Sequence, residues 1–403
     1  MVSSDVSTKE LAAHTAKRRT FAIISHPDAG KTTLTEKLLL YSGQIGVAGM
    51  VRARKGGRAT SSDWMTLEQE RGISVSASAM QFPYKGSIIN VLDTPGHQDF
   101  SEDTYRTLTA ADSAVMVLDA AKGVEAQTRK LFAVCRMQRT PILTFINKMD
   151  LSSKDPLELL EEVEQVLGIL ASPISWPIGS GSSFKGVVYP ATREVMLFTK
   201  SEQGGAARAS YQSLSLDQAL ASGALMQEEY AQLNEELELL ATAGNPFTNE
   251  KFLAGEVTPV FFGSALTNFG VEPFFDRFSE LAPPPHPYEA INGAGEIVRI
   301  NPIERPFSAY VFKIQANMNP RHRDSMAYLR VCSGRFERDM VVKHHRSAKD
   351  IRLSRSYSLV AQDRSTVEEA FPGDIIGVIN PGAFAIGDTV SLEGGFNFKP
   401  MPQ

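Results

Sequence analysis

Cysteine is almost missing from this sequence. Only Cys135 and Cys332 occur among 403 residues, far apart and in no C-x-x-C spacing. That excludes a disulfide framework and argues against a zinc site, and it fits a reducing cytoplasm. Long apolar runs are lacking too, since nothing approaches the ~20 residues of a membrane span. The opening stretch, MVSSDVSTKELAAHTAKRR, has no apolar centre of the kind a secretory signal needs. There is no internal repeat and no low-complexity tract. Basic excess is absent as well: 41 Lys and Arg face 46 Asp and Glu, a formal net charge of −5. Any nucleic-acid contact must therefore come from a local patch. Together these absences lead us to expect a cytoplasmic protein with no membrane partner, and a monomer.

The chain is too long for one ordinary domain. Residues 1–18 are polar and read as an arm or short helix. TFAIIS then reads as a buried strand, and KTTLTEKLLLYSG as a helix ended by Gly43. SIINVLD (87–93), SAVMVLDA (113–120), PILTFINK (141–148) and TPVFFGSA (258–265) are further apolar strands, with helix-like stretches between them. Near-continuous apolar strands alternating with helices predict a parallel sheet covered on both faces.

Between 151 and 257 the alternation breaks, which predicts an α+β insertion. LELLEEVEQVL reads as a helix, FKGVVYPATREVMLFTK as a hairpin turning at Pro190-Ala191-Thr192, and SEQGGAARAS as a flexible loop. Met226, Tyr230, Leu233, Leu237 and Leu240 fall on one face of a further helix, expected to point at a core. LAPPPHPYEAINGAGE (281–296) reads as a Pro/Gly-rich linker. The runs PFSAYVFKIQ, DSMAYLRVCSG, MVVKHH, KDIRLSR, GDIIGVIN and GDTVSL follow, separated by turn residues, and predict a small antiparallel β-barrel. The expected division is an arm 1–18, an α/β domain 19–281 containing the insertion 151–257, a linker 282–305, a barrel 306–392 and a tail 393–403.

Residues 24–34 read ISHPDAGKTTL, close to the phosphate-loop pattern G-x-x-x-x-G-K-[ST] except that Ser25 stands where the first glycine belongs. The string follows a strand and opens a helix, as a phosphate cradle requires. Asp28, Ala29, Gly30, Lys31, Thr32 and Thr33 are its candidate contacts. Lys31 would bridge the β- and γ-phosphates, and the Thr32 hydroxyl would ligate Mg²⁺. Gly30 is hard to replace, because a Cβ there could crowd the phosphates.

DTPGH (93–97) follows the strand SIINVL. Asp93 would hold Mg²⁺ through a water, and the Gly96 amide would sense the γ-phosphate. NKMD (147–150) follows PILTFI. The Asp150 carboxylate can accept two hydrogen bonds from guanine that adenine cannot offer, with Asn147 and Lys148 pinning the loop and covering the base. SAL follows TPVFFG, and the backbone amides of Ser264, Ala265 and Leu266 could bind guanine O6. In RGISV (71–75), Ser74 could complete the Mg²⁺ shell only when the γ-phosphate is present, as an order–disorder switch does. Each motif is weak alone. In this order, each after an apolar strand, they predict a P-loop GTPase domain using GTP/GDP and Mg²⁺, and NKMD with SAL disfavours an ATPase.

SHPDAGKTT, DWMTLEQERGISVSASAMQFPY, DTPGHQDFSEDTYRTLTAADSAVMV, TFINKMD, ISWPIG, PVFFGSALTNFG and KIQANMNPRHRD resemble the bacterial peptide chain release factor 3 family. These are class II release-factor GTPases related to elongation factor G, and the resemblance runs from about residue 17 to 390. It implies a ribosome partner and an indirect partnership with the class I, decoding release factors. The GTP form would promote their departure after peptide release, then hydrolyse GTP and leave. It further implies that His97 is the catalytic histidine, positioning the attacking water when the sarcin-ricin RNA draws it inward, and that Pro27 and Ile73 form the apolar gate holding it back. His26 reads as a loop-packing residue. The barrel would be the family's second domain, and residues 393–403 the start of a third domain that this chain lacks. A nucleotide-sensing fragment without ribosome-stimulated turnover is therefore an alternative. The barrel's basic stretch (Arg321, His322, Arg323, Arg330, Arg335, Arg338, Lys343, His344, His345, Arg346, Lys349, Arg352 and Arg355) reads equally as an RNA-facing patch or as a solvated surface.

Overall fold

The structure is a computed structural model that describes residues 7–45, 79–94, 102–199, 204–316, 325–354, 356–358, 366–380 and 382–399. The polar arm forms helix α1 (Thr8–Ala16), started by Ser7, whose side chain accepts from the Glu10 N–H. Strand β1 (Arg18–Ser25) is buried at every position but Arg19, as a continuous apolar run covered on both faces must be. Helix α2 (Lys31–Tyr41) follows, then β2 (Ala79–Tyr84), β3 (Ser87–Asp93), α3 (Glu102–Thr109), β4 (Ser113–Asp119), α4 (Ala126–Met137), β5 (Ile142–Asn147), α5 (Pro156–Leu167) and β6 (Leu170–Pro173). The insertion continues with β7 (Trp176–Ile178), β8 (Gly186–Tyr189), β9 (Glu194–Thr199), β10 (Ser210–Ser215), α6 (Leu216–Ala221), α7 (Gln227–Ala243) and α8 (Asn249–Leu253). Strand β11 (Val257–Phe262) and helix α9 (Val271–Leu281) close the domain.

The main sheet has seven strands in the order β2-β3-β1-β4-β5-β11-β6. All neighbours are parallel except the edge strand β2, which runs antiparallel to β3 and carries Pro83. Two elements differ from expectation. Strand β6 comes from within the predicted insertion yet pairs with β11, so the insertion contributes to the main sheet itself. Its four residues, LASP, are too short and too mixed to announce a strand. Met226 does not belong to the buried stripe of α7. It caps the helix, its N–H donating to Glu229 Oε2 at 2.7 Å, and its side chain is 67% exposed, while Leu233 and Leu237 are buried. The hairpin does turn at Pro190-Ala191-Thr192, between β8 and β9 of a four-stranded sheet ordered β10-β9-β8-β7.

The segment read as a linker is largely folded. It contains β12 (Tyr288–Asn292) and β13 (Ile297–Ile300), joined at Asn292, whose Oδ1 accepts from the Ala294 and Glu296 N–H groups at 2.9 Å. The barrel region holds β14 (Ser308–Ala316), β15 (Ser325–Ser333), β16 (Phe336–Glu337), β17 (Val341–His344), β18 (Lys349–Arg352), β19 (Ser356–Ser358), β20 (Glu369–Ala370), β21 (Ile375–Asn380) and β22 (Thr389–Ser391). Strand β23 (Phe396–Phe398), in the predicted tail, returns to pair with β12. The second domain's main sheet is antiparallel, ordered β18-β17-β22-β14-β15-β21-β19, a half-barrel around Phe307, Val311, Leu329, Val331 and Phe336.

The two domains meet through buried polar contacts. Arg330 of β15 is 0% exposed; its Nη2 lies 2.7 Å from Asp112 Oδ2, and its Nη1 donates to the carbonyls of Ala110 and Gly373. Burial pushes the Asp112 carboxyl up, but Arg330 and His286 pull it below the usual carboxylate range. Arg18 donates from Nε to both Asp374 oxygens at 2.9 Å, and Gln81 adds a bond at 2.8 Å. Two members of the candidate basic face are thus removed from it. Arg330 is internal, and His344 is enclosed with Asp388 and Ser347. Arg321, His322, Arg323 and Arg355 lie outside the described residues.

Helix α3, which follows the DTPGH segment, is also tied to the second domain. The Tyr310 and Tyr288 hydroxyls donate to the Thr109 carbonyl at 2.9 and 3.3 Å. Tyr310→Phe keeps the ring and removes one of these donors. We expect it to lower unfolding free energy in urea by about 1 kcal/mol. An unchanged midpoint and slope would show that the hydroxyl contributes nothing across the interface.

Candidate functional site

The described parts of the predicted motifs converge where β1, β3, β5 and β11 end at their carboxyl edges, the edge at which open α/β sheets bind ligands. The phosphate loop leaves β1 through buried Ser25. Asp28 takes the left-handed conformation (φ 68°), the Ala29 N–H donates to the His26 carbonyl, and Gly30 caps α2 with φ 101°. Ala29 is buried, Asp28 and Thr32 are exposed, and Thr33 is half-buried. Lys31 Nζ donates to the Thr94 carbonyl, and the Thr94 hydroxyl to the Ile23 carbonyl at 2.5 Å. The lysine is thereby held over the loop from the DTPGH side. His26 packs as read, with Nε2 3.3 Å from Glu125 Oε1 and a buried Nδ1 that has no hydrogen-bond partner among the described residues.

Asn147 ties three motifs together. Its Nδ2 donates to the Ala29 carbonyl at 2.8 Å, and its Oδ1 accepts from the Ala265 N–H at 2.9 Å. A Cβ at Gly30 would also overlap Asn147 Nδ2, so the NKMD asparagine adds a constraint of its own at this glycine. Lys148 has φ 69°, and its Nζ lies 2.8 Å from Asp119 Oδ2. Burial raises the Asp119 carboxyl, but the Lys148 bond and the Ala121 N–H bring it below its ordinary value, so it stays ionised and fixes the lysine. Asp150 Oδ1 is buried with no hydrogen-bond partner among the described residues. An orphaned carboxylate oxygen is costly unless a ligand's N–H groups complete it, and guanine supplies two.

The SAL amides are less available than expected. The Ser264 N–H donates to the Phe269 carbonyl and the Ala265 N–H to Asn147, so of the three amides Leu266 is the one left to meet a ligand. Leu266 is also 52% exposed, whereas Ser264 and Ala265 are fully buried. Asp93 is the last residue of β3. Ser74, Gly96, His97 and Ile73 lie outside the described residues. Sequence reading missed Asp119 as a member of the site. Its signal was present: a carboxylate closing an apolar strand at the same sheet edge as the other motifs.

Residues 16–284 match the elongation factor Tu GTP binding domain family, and residues 306–393 match elongation factor G domain 2. The chain is 55% identical over 397 residues to peptide chain release factor 3 of Gloeobacter violaceus, covering 98% of this chain and 74% of that one. Against the Synechocystis protein of the same name it is 52% identical, covering 99% and 72%. The Symbiobacterium thermophilum counterpart is 55% identical, covering 97% and 74%. A crystal structure of a Thermus thermophilus protein shares the fold, with a TM-score of 0.68, 22% identity, and coverage of 96% of this chain and 55% of that chain. No helix among the described residues is long and apolar enough to cross a membrane. With a GTPase domain, a half-barrel second domain and these relatives, the chain belongs to the peptide chain release factor 3 family of GTPases, translation-termination hydrolases that act on GTP.

Proposed function

We propose that this GTPase works on the ribosome after peptide release. Its GTP form promotes departure of the class I release factors, and hydrolysis to GDP lets it leave. The observation that carries the nucleotide part is Asn147 linking the phosphate loop to the SAL loop, beside an Asp150 oxygen with no partner among the described residues. Membership of the release-factor family supports the ribosomal part.

Within the site, the Asp150 carboxylate reads guanine N1 and N2, the Leu266 amide meets O6, and the aliphatic stem of Lys148, anchored on Asp119, covers the base. Amides of residues 28–32 and Lys31 bind the phosphates; Lys31 exchanges its Thr94 carbonyl for phosphate oxygens. The donors offered to a cation are oxygens on the first turn of α2 (Thr32), in the RGISV loop (Ser74) and at the end of β3 (Asp93). Such a set suits Mg²⁺, which would neutralise charge on the phosphates. Gly96 senses the γ-phosphate, and His97 positions the attacking water.

Single-turnover GTP hydrolysis, measured with and without ribosomes, tests this reading. Strong stimulation is expected. GTP binding with no stimulation would overturn it.

A further inference from the structure

Residues 204–208 of the insertion, shortly before β10, lie against the SAL loop and helix α2. Gly205 sits so close to the Leu266 carbonyl that a Cβ on it would overlap that oxygen. Its backbone is not left-handed, so glycine is demanded there by the contact and not by φ. Asn268, two residues beyond Leu266 and 1% exposed, donates from Nδ2 to the carbonyls of Gly205 and Ala207 at 3.0 and 2.6 Å. Lys37 of α2, also buried, donates from Nζ to the same Gly205 carbonyl. Three residues on, Arg208 donates from Nη2 to the Leu40 and Tyr41 carbonyls at 3.1 and 2.9 Å, closing the C-terminus of α2, with its guanidinium 5.4 Å from the Tyr41 ring centre. One short loop therefore grips the base loop at Leu266 and the phosphate-loop helix at its far end.

We infer that residues 204–208 form a positioning strap for the nucleotide: Gly205 sets where the Leu266 amide stands, and Lys37, Asn268 and Arg208 hold the strap to both halves of the site. The inference rests on the base-site reading above. Its physical content is preorganisation. Two of the SAL amides are engaged within the protein, so the O6 bond depends on the Leu266 N–H, and the strap bears on the adjoining peptide unit, at the Leu266 carbonyl across one Cα. Displacing that unit by a fraction of an ångström lengthens the bond. Gly205 is accordingly a positioning residue, not one that touches GTP.

Gly205→Ala tests it, read as dissociation rates of GDP and of 6-thioguanosine diphosphate, which has a weakly accepting sulfur in place of O6 and keeps the N1–H and 2-amino donors. The variant is expected to release GDP roughly tenfold faster, the size of one weakened hydrogen bond, while release of the O6-lacking analogue changes less than twofold. Equal acceleration of both nucleotides would mean general loosening and overturn the strap. So would an unchanged GDP rate. If Gly205→Ala does not fold, Arg208→Gln decides, since it frees the α2 end of the strap without adding bulk: faster GDP release supports the inference and an unchanged rate overturns it. Wild-type preference for GDP over ADP, measured first, separates failure of the strap from failure of the base site.

Discussion

Asp150→Asn is expected to take away this protein's preference for guanine. The carboxylate presents two acceptor oxygens, one of them buried without a partner among the described residues. Guanine presents two donors, N1–H and the 2-amino group. Asparagine keeps one acceptor but turns an N–H₂ toward the base, where donor meets donor. Two charged hydrogen bonds at about 1.5–3 kcal/mol each amount to a loss of roughly 10²–10⁴ in GTP affinity. A base with a carbonyl in place of the 2-amino group should now bind better than guanine. Competition between GTP and XTP for the variant measures this. If GTP still wins by the wild-type margin, Asp150 does not read the base.

His97→Ala should leave nucleotide affinity near wild type and remove ribosome-stimulated turnover. Positioning a water and its proton is worth on the order of 10²–10⁴ in rate. That contribution is made in the transition state and not in binding. The measurement is a pair: the GDP dissociation constant, and single-turnover hydrolysis on ribosomes. Normal stimulated hydrolysis in the variant would assign the role to another group. A parallel loss of affinity would instead point to damage to the DTPGH segment.

The site's ingredients were legible because the strands before them are unbroken apolar runs. When β1, β5 and β11 are buried on both faces, their ends are marked by the first residues that interrupt the run, and those residues are the motifs. What could not be read is how the motifs touch. Asn147 looked like one more loop-pinning residue until space placed it between Ala29 and Ala265, each 118 positions away in sequence. Arg330 sat in a run of basic residues read equally as an RNA-facing patch or a solvated surface, either of which would leave it exposed. Only the fold brings it to Asp112, 218 positions distant, and charge type alone does not reveal burial when the partner is so remote. The proline run before Tyr288 hid the alternation of YEAINGAGEIVRI, although its Asn-Gly pair was a fair hairpin signal. Gly205 lay in a stretch read as flexible, since a glycine required by close approach and one present for freedom have the same letter.

The buried Arg330–Asp112 pair also has a meaning for ancestry. Both side chains are fully buried, and removing either strands the opposite charge inside, a loss of about 3–5 kcal/mol. Around it, the His14 ring stacks on Phe371 at 4.0 Å and Arg18 holds Asp374, again one residue from each side. A half-barrel borrowed from a distant relative would therefore fit only if it carried its own arginine and aspartate at these places. The GTPase domain and its neighbour are, in that sense, a single heritable part. Substitutions on one face are screened by the other, and exchange by recombination should succeed for both domains together where it fails for either alone.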